Sequence, residues 1–399
     1  MVLRTADIIK AAGQYLANTY SRQPIAPLRG RGMFVWDSDG KKYADFTGGV
    51  AVCVLGHCHP DLSRAISDQA RRLMHVSNLY YIQQQVELAE LLSKIVPDSI
   101  RKFFFCNSGA EAIEGSFKLA VKYTKRKRIV AMQGSFHGRT AAAVGATWTP
   151  RYREPYSAII PNVFTFVPYN DLEAARKAVD DDTVAVVVEP VQGEGGVNVP
   201  SDDYLKGLEE ICEEKGALLI CDEIQTGMGR TGRWFACQRW KVRPDIITIA
   251  KGLGGGFPIG CFGSSDEVMD SFSPGDHAST FGGNPLACAA GIATVKTMRR
   301  LDLPRRSDRI GGYFKERLME LKDRFQSVVD VRGLGLLLGM ELDNDKKAEN
   351  AVKMAAGMGF LINRTAGRVL RFTPPLIVEK KHIDGLIFAL EKILDKVQP

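Results

Sequence analysis

The stretch RPDIITIAKGLGGGFPIG, residues 243–260, runs from an apolar, β-branched segment into Lys251 and then into a cluster of glycines. A lysine so placed has three roles open to it: holding a phosphate, forming an imine with a carbonyl, or marking where a strand meets water. Imine formation makes the most specific demand. The amine must be partly desolvated, so that its pKa falls and some of it stays free to attack. Each unit of that depression is about 1.4 kcal/mol of disfavoured charge, so a rigid strand end beside a cavity suits it. Gly252, Gly254, Gly255 and Gly256 would then let the backbone pass close to a bulky group.

Two more strand ends carry chemistry. KFFFCNSGAEAIEGSFKLA reads as a strand, then Ser108-Gly109-Ala110, then a helix beginning near Glu111. The free N–H groups of a helix N-terminus form an anion site, although Asn-Ser-Gly is also an ordinary turn and N-cap. This turn has neither the Walker spacing nor G-x-G-x-x-G. GALLICDEIQTGMGRTG ends its strand in Asp222-Glu223, and VAVVVEPVQGEGG adds Glu189 and Glu194 at another. Acidic groups at a strand end can ligate metal, pair with cations, or act as counter-ion to a buried charge. Pyridoxal phosphate requires an imine-forming lysine, an anion site and a carboxylate for its ring nitrogen. Lys251, Ser108–Ala110 and Asp222 match those three requirements. Each residue alone could be structural; together they favour the cofactor.

The elements that must position these residues are legible in outline. From about Arg101 to Phe262 short apolar runs (KFFFCN, RIVAMQ, VFTFVPY, TVAVVVEPV, GALLICDE, DIITIAK, IGCFG) alternate with amphipathic stretches. Continuous apolar strands alternating with helices predict an α/β fold, with a mainly parallel sheet covered on both faces and its active site at the strands' carboxyl ends. After about Pro285 the pattern changes to a smaller α+β unit. GRGMFVWDSDGKKYADF predicts a hairpin turning at Asp39-Gly40. The expected organisation is an N-terminal segment (1–50) packing with the small domain, a large cofactor-binding domain (51–290) and a C-terminal small domain (291–399).

Composition narrows the function classes. The 399 residues are 45% hydrophobic and 25% charged, values ordinary for a globular enzyme, with a net charge of +7. The first twenty residues lack an apolar h-region and no apolar run reaches membrane-spanning length, so the expectation is a cytoplasmic protein without a membrane partner. Eight cysteines form no C-x-x-C pair and read as reduced thiols. GHCHP (56–60) gathers two histidines and a cysteine, but no second ligand cluster accompanies it. A turn is expected there, and no metal. The basic run KYTKRKRIV (122–130) follows a helical pattern and reads as a solvated cap on the helix dipole. Its single aromatic, Tyr123, argues against nucleic acid; an acidic protein partner, such as an amino-group carrier, fits better.

In order along the chain, FFFCNSGAEA, FHGRTAAAVGAT, EPVQGEGG, CDEIQTGMGRTG, IAKGLGGGFPIG, STFGGNPLACAA and LRFTPPL resemble the class III, ornithine-type pyridoxal-phosphate aminotransferases. The resemblance spans nearly the whole chain. It implies a type I aminotransferase fold and a homodimer with its active site at the subunit interface. It also implies that Lys251 carries the cofactor. Gly109 and Ala110, with Ser108, would bind the phosphate, joined by Thr280 from the neighbouring subunit. Phe136 would stack on the ring, Asp222 pair with its nitrogen, and Gln225 hydrogen-bond its 3′ oxygen. Arg139 would clamp a substrate carboxylate, with Ser279 beside the substrate. Glu194 and Arg371 would form a switch that opens for glutamate or 2-oxoglutarate.

Within the family GHCHP, SNLYY, VPYNDLEA and SPGDHASTFGGNPLACAA are similar to the N-acetylornithine branch, which implies 2-oxoglutarate as acceptor and a place in arginine biosynthesis. Succinylornithine, 4-aminobutyrate or a carrier-bound semialdehyde would keep the fold and change the substrate; racemases and aminomutases share it too. Two positions depart from family patterns. Val50 stands where ornithine enzymes tend to carry tyrosine, which argues against free ornithine. EAIE has Ile113 where the acetylornithine branch usually reads asparagine.

Overall fold

The computed structural model describes residues 3–397. Near the N-terminus β1 (Pro27–Arg31), β2 (Phe34–Asp37) and β3 (Lys42–Asp45) form an antiparallel ribbon. The Asp39-Gly40 turn forms as expected. Asp37 Oδ1 accepts from the Asp39 and Lys41 N–H groups, and Gly40 takes φ 86°.

Seven strands follow: β4 (Lys102–Cys106), β5 (Arg128–Met132), β6 (Phe164–Val167), β7 (Thr183–Val188), β8 (Leu218–Asp222), β9 (Ile246–Ile249) and β10 (Gly260–Ser264). They form one sheet in the order β4-β10-β9-β8-β7-β5-β6. All neighbours are parallel except at β10, which runs antiparallel to both β4 and β9. Every residue of β7, β8, β9 and β10 is buried. In β7, Val186 and Val188 join one apolar cluster while Ala185 and Val187 join another on the opposite face. Period-two alternation between two apolar layers is why these strands read as unbroken hydrophobic runs.

The remaining strands are β11 (Val328–Leu334), β12 (Leu337–Leu342), β13 (Phe360–Leu361), β14 (Asn363–Thr365) and β15 (Val369–Phe372). Four of them form an antiparallel sheet in the order β11-β12-β15-β14, while β13 pairs in parallel with β3, Phe360 opposite Ala44.

Two ambiguous sequence features resolve into structure. His57 Nε2 lies 2.8 Å from Asp45 Oδ2, and that hydrogen bond, above all, pushes the imidazole pKa up to about 10. His59 Nδ1 caps the helix Pro60–Arg72 by accepting from the Asp61 N–H. The basic run closes the helix Gly109–Thr124 through Lys125 in a left-handed conformation. Lys122 then pairs with Asp276 at 3.1 Å, and Arg126 donates to the Thr183 and Lys215 carbonyls.

The helix Leu303–Arg324 packs on the β11–β12 hairpin. There a Cβ on Gly311 would lie 2.0 Å from the Gly335 carbonyl oxygen, whereas a Cβ on the adjacent Gly312 would meet nothing within 4 Å. The two glycines therefore predict opposite signs. Gly311→Ala should destabilise the protein by about 1–3 kcal/mol, because backbone has nowhere to retreat. Gly312→Ala should stabilise it by roughly 0.5–1 kcal/mol through helix propensity alone. Denaturant unfolding of the two variants checks both; equal effects would contradict the packing.

Candidate active site

The reversed strand β10 explains how distant strand ends meet. Its first residue, Gly260, pairs with Cys106 at the end of β4, and Cys261 pairs with Ile249 at the end of β9. The turn after β4 and the turn after β9 therefore open on the same edge, with Gly260 between them. A Cβ there would come within 2.5 Å of the Ser108 carbonyl oxygen. Over this edge lies a cavity of about 380 Å³ lined by Ser108, Gly109, Ala110, Phe136, Asp222 and Lys251, with Gln225 at its side.

The helix Gly109–Thr124 begins two residues earlier than the sequence predicts. Ser108 is its N-cap, the hydroxyl accepting from the Glu111 N–H at 3.2 Å. Glu111 Oε2 reaches back to the Asn107 N–H at 2.8 Å. First-turn N–H groups have no intrahelical acceptor, so the Gly109 and Ala110 amides are available to an anion in the cavity. Ile113, the residue that departs from the family pattern, faces away into the apolar cluster with Phe117 and Phe262.

Asp222 is the last residue of β8 and is buried. Its Oδ1 accepts from the Ile224 N–H at 3.0 Å and the Thr248 hydroxyl at 3.2 Å; its Oδ2 lies 2.7 Å from His137 Nδ1. Burial works against charge on His137, but the hydrogen bond and charge of Asp222 outweigh it and raise the imidazole pKa. Lys251 follows β9 by two residues and opens a single 3₁₀ turn with φ 44°, a left-handed conformation imposed on a non-glycine residue. Its half-buried amine has a lowered pKa, chiefly through desolvation, with Arg371 adding to the depression and Glu194 opposing it. This is the condition that imine chemistry demands.

Arg371 sits inside β15, between Gly339 of β12 and Asn363 of β14, and is 1% exposed. Its Nη1 donates to Glu194 Oε1 at 2.5 Å and to Gln225 Oε1 at 3.1 Å. Burial alone would raise the Glu194 pKa, yet the guanidinium holds it below the usual carboxylate value. Gly48, Gly49, Val50 and Ala51, four consecutive residues with φ from 53° to 65°, lead into Val52. Val50 is exposed, and Val52 lines the cavity.

Five expected residues are absent from this lining: Glu194 and Arg371, joined to it through Gln225, and Arg139, Ser279 and Thr280. Arg139 is exposed, its guanidinium 3.6 Å from the Tyr152 ring centre and 5.4 Å from that of Phe136. Ser279 accepts from Asn107 Nδ2 at 3.3 Å and from the Gly282 N–H at 2.9 Å. Thr280 is exposed and, with Ser279, lines a second cavity of about 750 Å³ beside Tyr80 and Tyr81. Conversely, the structure brings in His137, which no motif had singled out, and Glu189, which the sequence marked only as a strand-end carboxylate.

The donor set fits pyridoxal phosphate. It has a desolvated amine, helix-terminal amides for a phosphate, an aromatic face, and a buried carboxylate fixed by an imidazole.

Residues 15–394 match the family described as aminotransferase class-III. The acetylornithine aminotransferase of Methanothermobacter thermautotrophicus is 47% identical over 388 residues, covering 97% of this chain and 98% of that one. The Aquifex aeolicus enzyme of the same name is 46% identical over 385 residues, covering 95% and 100%. Among solved structures, the ornithine aminotransferase of Toxoplasma gondii, crystallised with partial occupancy of PLP at its active site, superposes with a TM-score of 0.95 at 33% identity, covering 99% and 95% of the two chains. The acetylornithine aminotransferase of Elizabethkingia anophelis gives 0.88 at 30% identity, covering 99% and 100%.

Removing the Glu194 carboxylate strands a buried guanidinium. Glu194→Ala is therefore expected to destabilise the protein by about 3 kcal/mol, and Glu194→Gln, which keeps an acceptor, by less. The folded pKa of Glu194 is depressed, so its contribution is present above the unfolded value and lost as pH falls through the folded one. The gap between wild type and Glu194→Ala should thus begin to narrow below about pH 4.5 and go on narrowing as pH falls further. Urea unfolding of the cofactor-free proteins at pH 7 and pH 4 measures it; a gap that does not narrow would contradict the pairing.

Proposed function

The chain belongs to the class-III aminotransferases, a pyridoxal-phosphate-dependent family, and we propose that it transfers the terminal amino group of N-acetylornithine to 2-oxoglutarate, yielding N-acetylglutamate semialdehyde and glutamate in arginine biosynthesis. The observation that carries a two-substrate reaction is the Glu194–Arg371 pair, joined to the cavity through the lining residue Gln225. The substrate assignment is supported by the names of the full-length relatives and by Val50, exposed two residues before the cavity-lining Val52.

When bound, pyridoxal phosphate would supply a carbonyl for an amine and a ring that accepts electrons from the substrate carbon. Lys251, its amine's pKa lowered chiefly by desolvation, would hold the cofactor covalently and, once released, move a proton to and from the substrate carbon. Asp222, oriented by His137 and Thr248, would keep a proton on the ring nitrogen. Gly109, Ala110 and Ser108 would hold the phosphate, Phe136 would cover one ring face, and Gln225 would reach the 3′ oxygen.

Arg371 needs a carboxylate beside it at every stage, since an unpaired buried guanidinium is costly. Glu194 serves while the uncharged part of the ω-amino substrate passes. It moves aside when 2-oxoglutarate brings a carboxylate of its own, which Arg371 can take in a two-pronged hydrogen bond. Arg139, braced on Tyr152 at the rim, would grip a second substrate carboxylate, with Ser279 nearby. Thr280, exposed beside Tyr80 and Tyr81, suits a role in a second copy's site, so a homodimer belongs to the proposal. So does a cytoplasmic location; among the described residues no helix is long and apolar enough to cross a membrane.

Turnover of N-acetylornithine, succinylornithine, ornithine and 4-aminobutyrate with 2-oxoglutarate tests the assignment, and N-acetylornithine should give the highest kcat/KM. A preference for any of the others would replace it. Lys251→Ala should abolish turnover together with the absorbance of the lysine-bound cofactor. Arg371→Met should raise KM for 2-oxoglutarate about 10- to 100-fold, the loss of one charge-assisted pair, with a smaller effect on N-acetylornithine.

A further inference from the structure

Glu189 is buried, ionisable and outside every role assigned above. It directly follows β7, is 4% exposed, and lines the cavity. Its two carboxylate oxygens are divided between two loops. Oε1 accepts from the Phe136 N–H at 2.9 Å, and Oε2 accepts from the Gly193 N–H at 3.1 Å. The first loop carries the ring that walls the cavity; the second leads directly into Glu194. The backbone of Glu189 is itself held, because the Tyr169 hydroxyl lies 3.2 Å from its carbonyl and 3.1 Å from that of Pro190.

The far side of the Glu194 turn is anchored separately. Arg332 Nε donates to the Gly196 carbonyl at 2.9 Å, Asn198 Nδ2 to that of Gly195 at 3.1 Å, and the Thr365 hydroxyl to that of Glu194. Gln192 Nε2 donates to the Gln133 carbonyl at 2.7 Å. Gly193, next to the gating carboxylate, is the point fastened from the cavity side, and Glu189 fastens it.

We propose that Glu189 is a positioning residue: one carboxylate ties the Phe136 loop and the Gly193–Glu194 turn to the end of β7, setting the cavity wall and the rest position of Glu194 together. A carboxylate suits the task because both oxygens accept, whereas an amide of the same shape offers one acceptor and turns a donor toward the other N–H. His137, Asp222, Lys251 and Tyr169 are the ionisable groups facing it. Burial, reinforced by Asp222, pushes its pKa up to about 7, while His137 and the two N–H donors oppose that rise. Ionisation, favoured above that value, leaves both oxygens free to accept, which sets pH 8 as the condition for the test.

The fastening is independent of any bound group; its kinetic consequence rests on the aminotransferase reading. Amide hydrogen exchange of the cofactor-free protein at pH 8 tests the fastening directly. In Glu189→Gln the Phe136 or Gly193 amide, or both, should exchange at least about tenfold faster. The Asn198 amide, bonded to the Gln192 carbonyl, and the amides of β7 and β8 should keep their rates. Unchanged protection at both sites, or an equal rise throughout the sheet, would overturn the proposal. In the holoenzyme, Glu189→Gln should lower kcat/KM for the N-acetylornithine half-reaction about 5- to 10-fold more than for the glutamate half-reaction, because the screen over Arg371 is no longer held in place. Equal losses in both would also overturn it. A wild type inactive on N-acetylornithine would sink the substrate assignment and leave the exchange result standing.

Discussion

A guanidinium buried in the middle of a strand is costly without a negative charge beside it, and much of this structure serves to supply one at Arg371. Its strand is central in a small antiparallel sheet, so the side chain cannot swing out to water. Glu194 and Gln225 come to it from turns at the carboxyl ends of the large sheet. The pair therefore joins the small sheet to the cavity, and its charge balance is inseparable from what the cavity contains. An arginine here costs free energy in every state without an anion, which is why a mobile carboxylate is a better neighbour than a fixed one.

A second buried pair works in the opposite way. His137 and Asp222 are enclosed, mutually oriented and braced by Thr248, so nothing about them needs to move. The site thus combines a rigid electrostatic floor with an adjustable wall. Lys251 lies between the two and within the field of both, so its amine responds to Glu194 and Arg371 as well as to Asp222.

Much of this was legible before any coordinates. The β-branched runs of β7, β8 and β9 announce buried strands because both faces meet apolar layers, and their ends point to Asp222 and Lys251. What could not be read is direction: IGCFG is equally apolar whichever way it runs, so the reversal of β10 that brings Ser108 and Lys251 to one edge is invisible in the sequence. GHCHP was readable only as an absence of further ligands; the partner that occupies His57, Asp45, is twelve residues away. His137 is hidden for the same reason, since its meaning depends on a carboxylate 85 residues later in the chain. Arg139, Ser279 and Thr280 were named through family likeness, and within one chain they stay at the rim or beyond it.

The four residues 48–51 wind against the usual hand. For glycine that is unremarkable, but Val50 and Ala51 carry side chains that disfavour it, by on the order of 1–3 kcal/mol each. The turn is kept by its flanks: the Thr373 N–H donates to the Phe46 carbonyl and the Thr373 hydroxyl to that of Thr47, and a Cβ on Gly48 would strike the Thr373 carbonyl oxygen. Mirror-image winding leaves Gly49 and Val50 facing outward while Gly48 and Ala51 stay inside. The turn's frame is thus fixed by chirality, and its one outward side chain is left interchangeable. Lineages sharing this scaffold could change residue 50, two positions before the cavity-lining Val52, without refolding anything behind it.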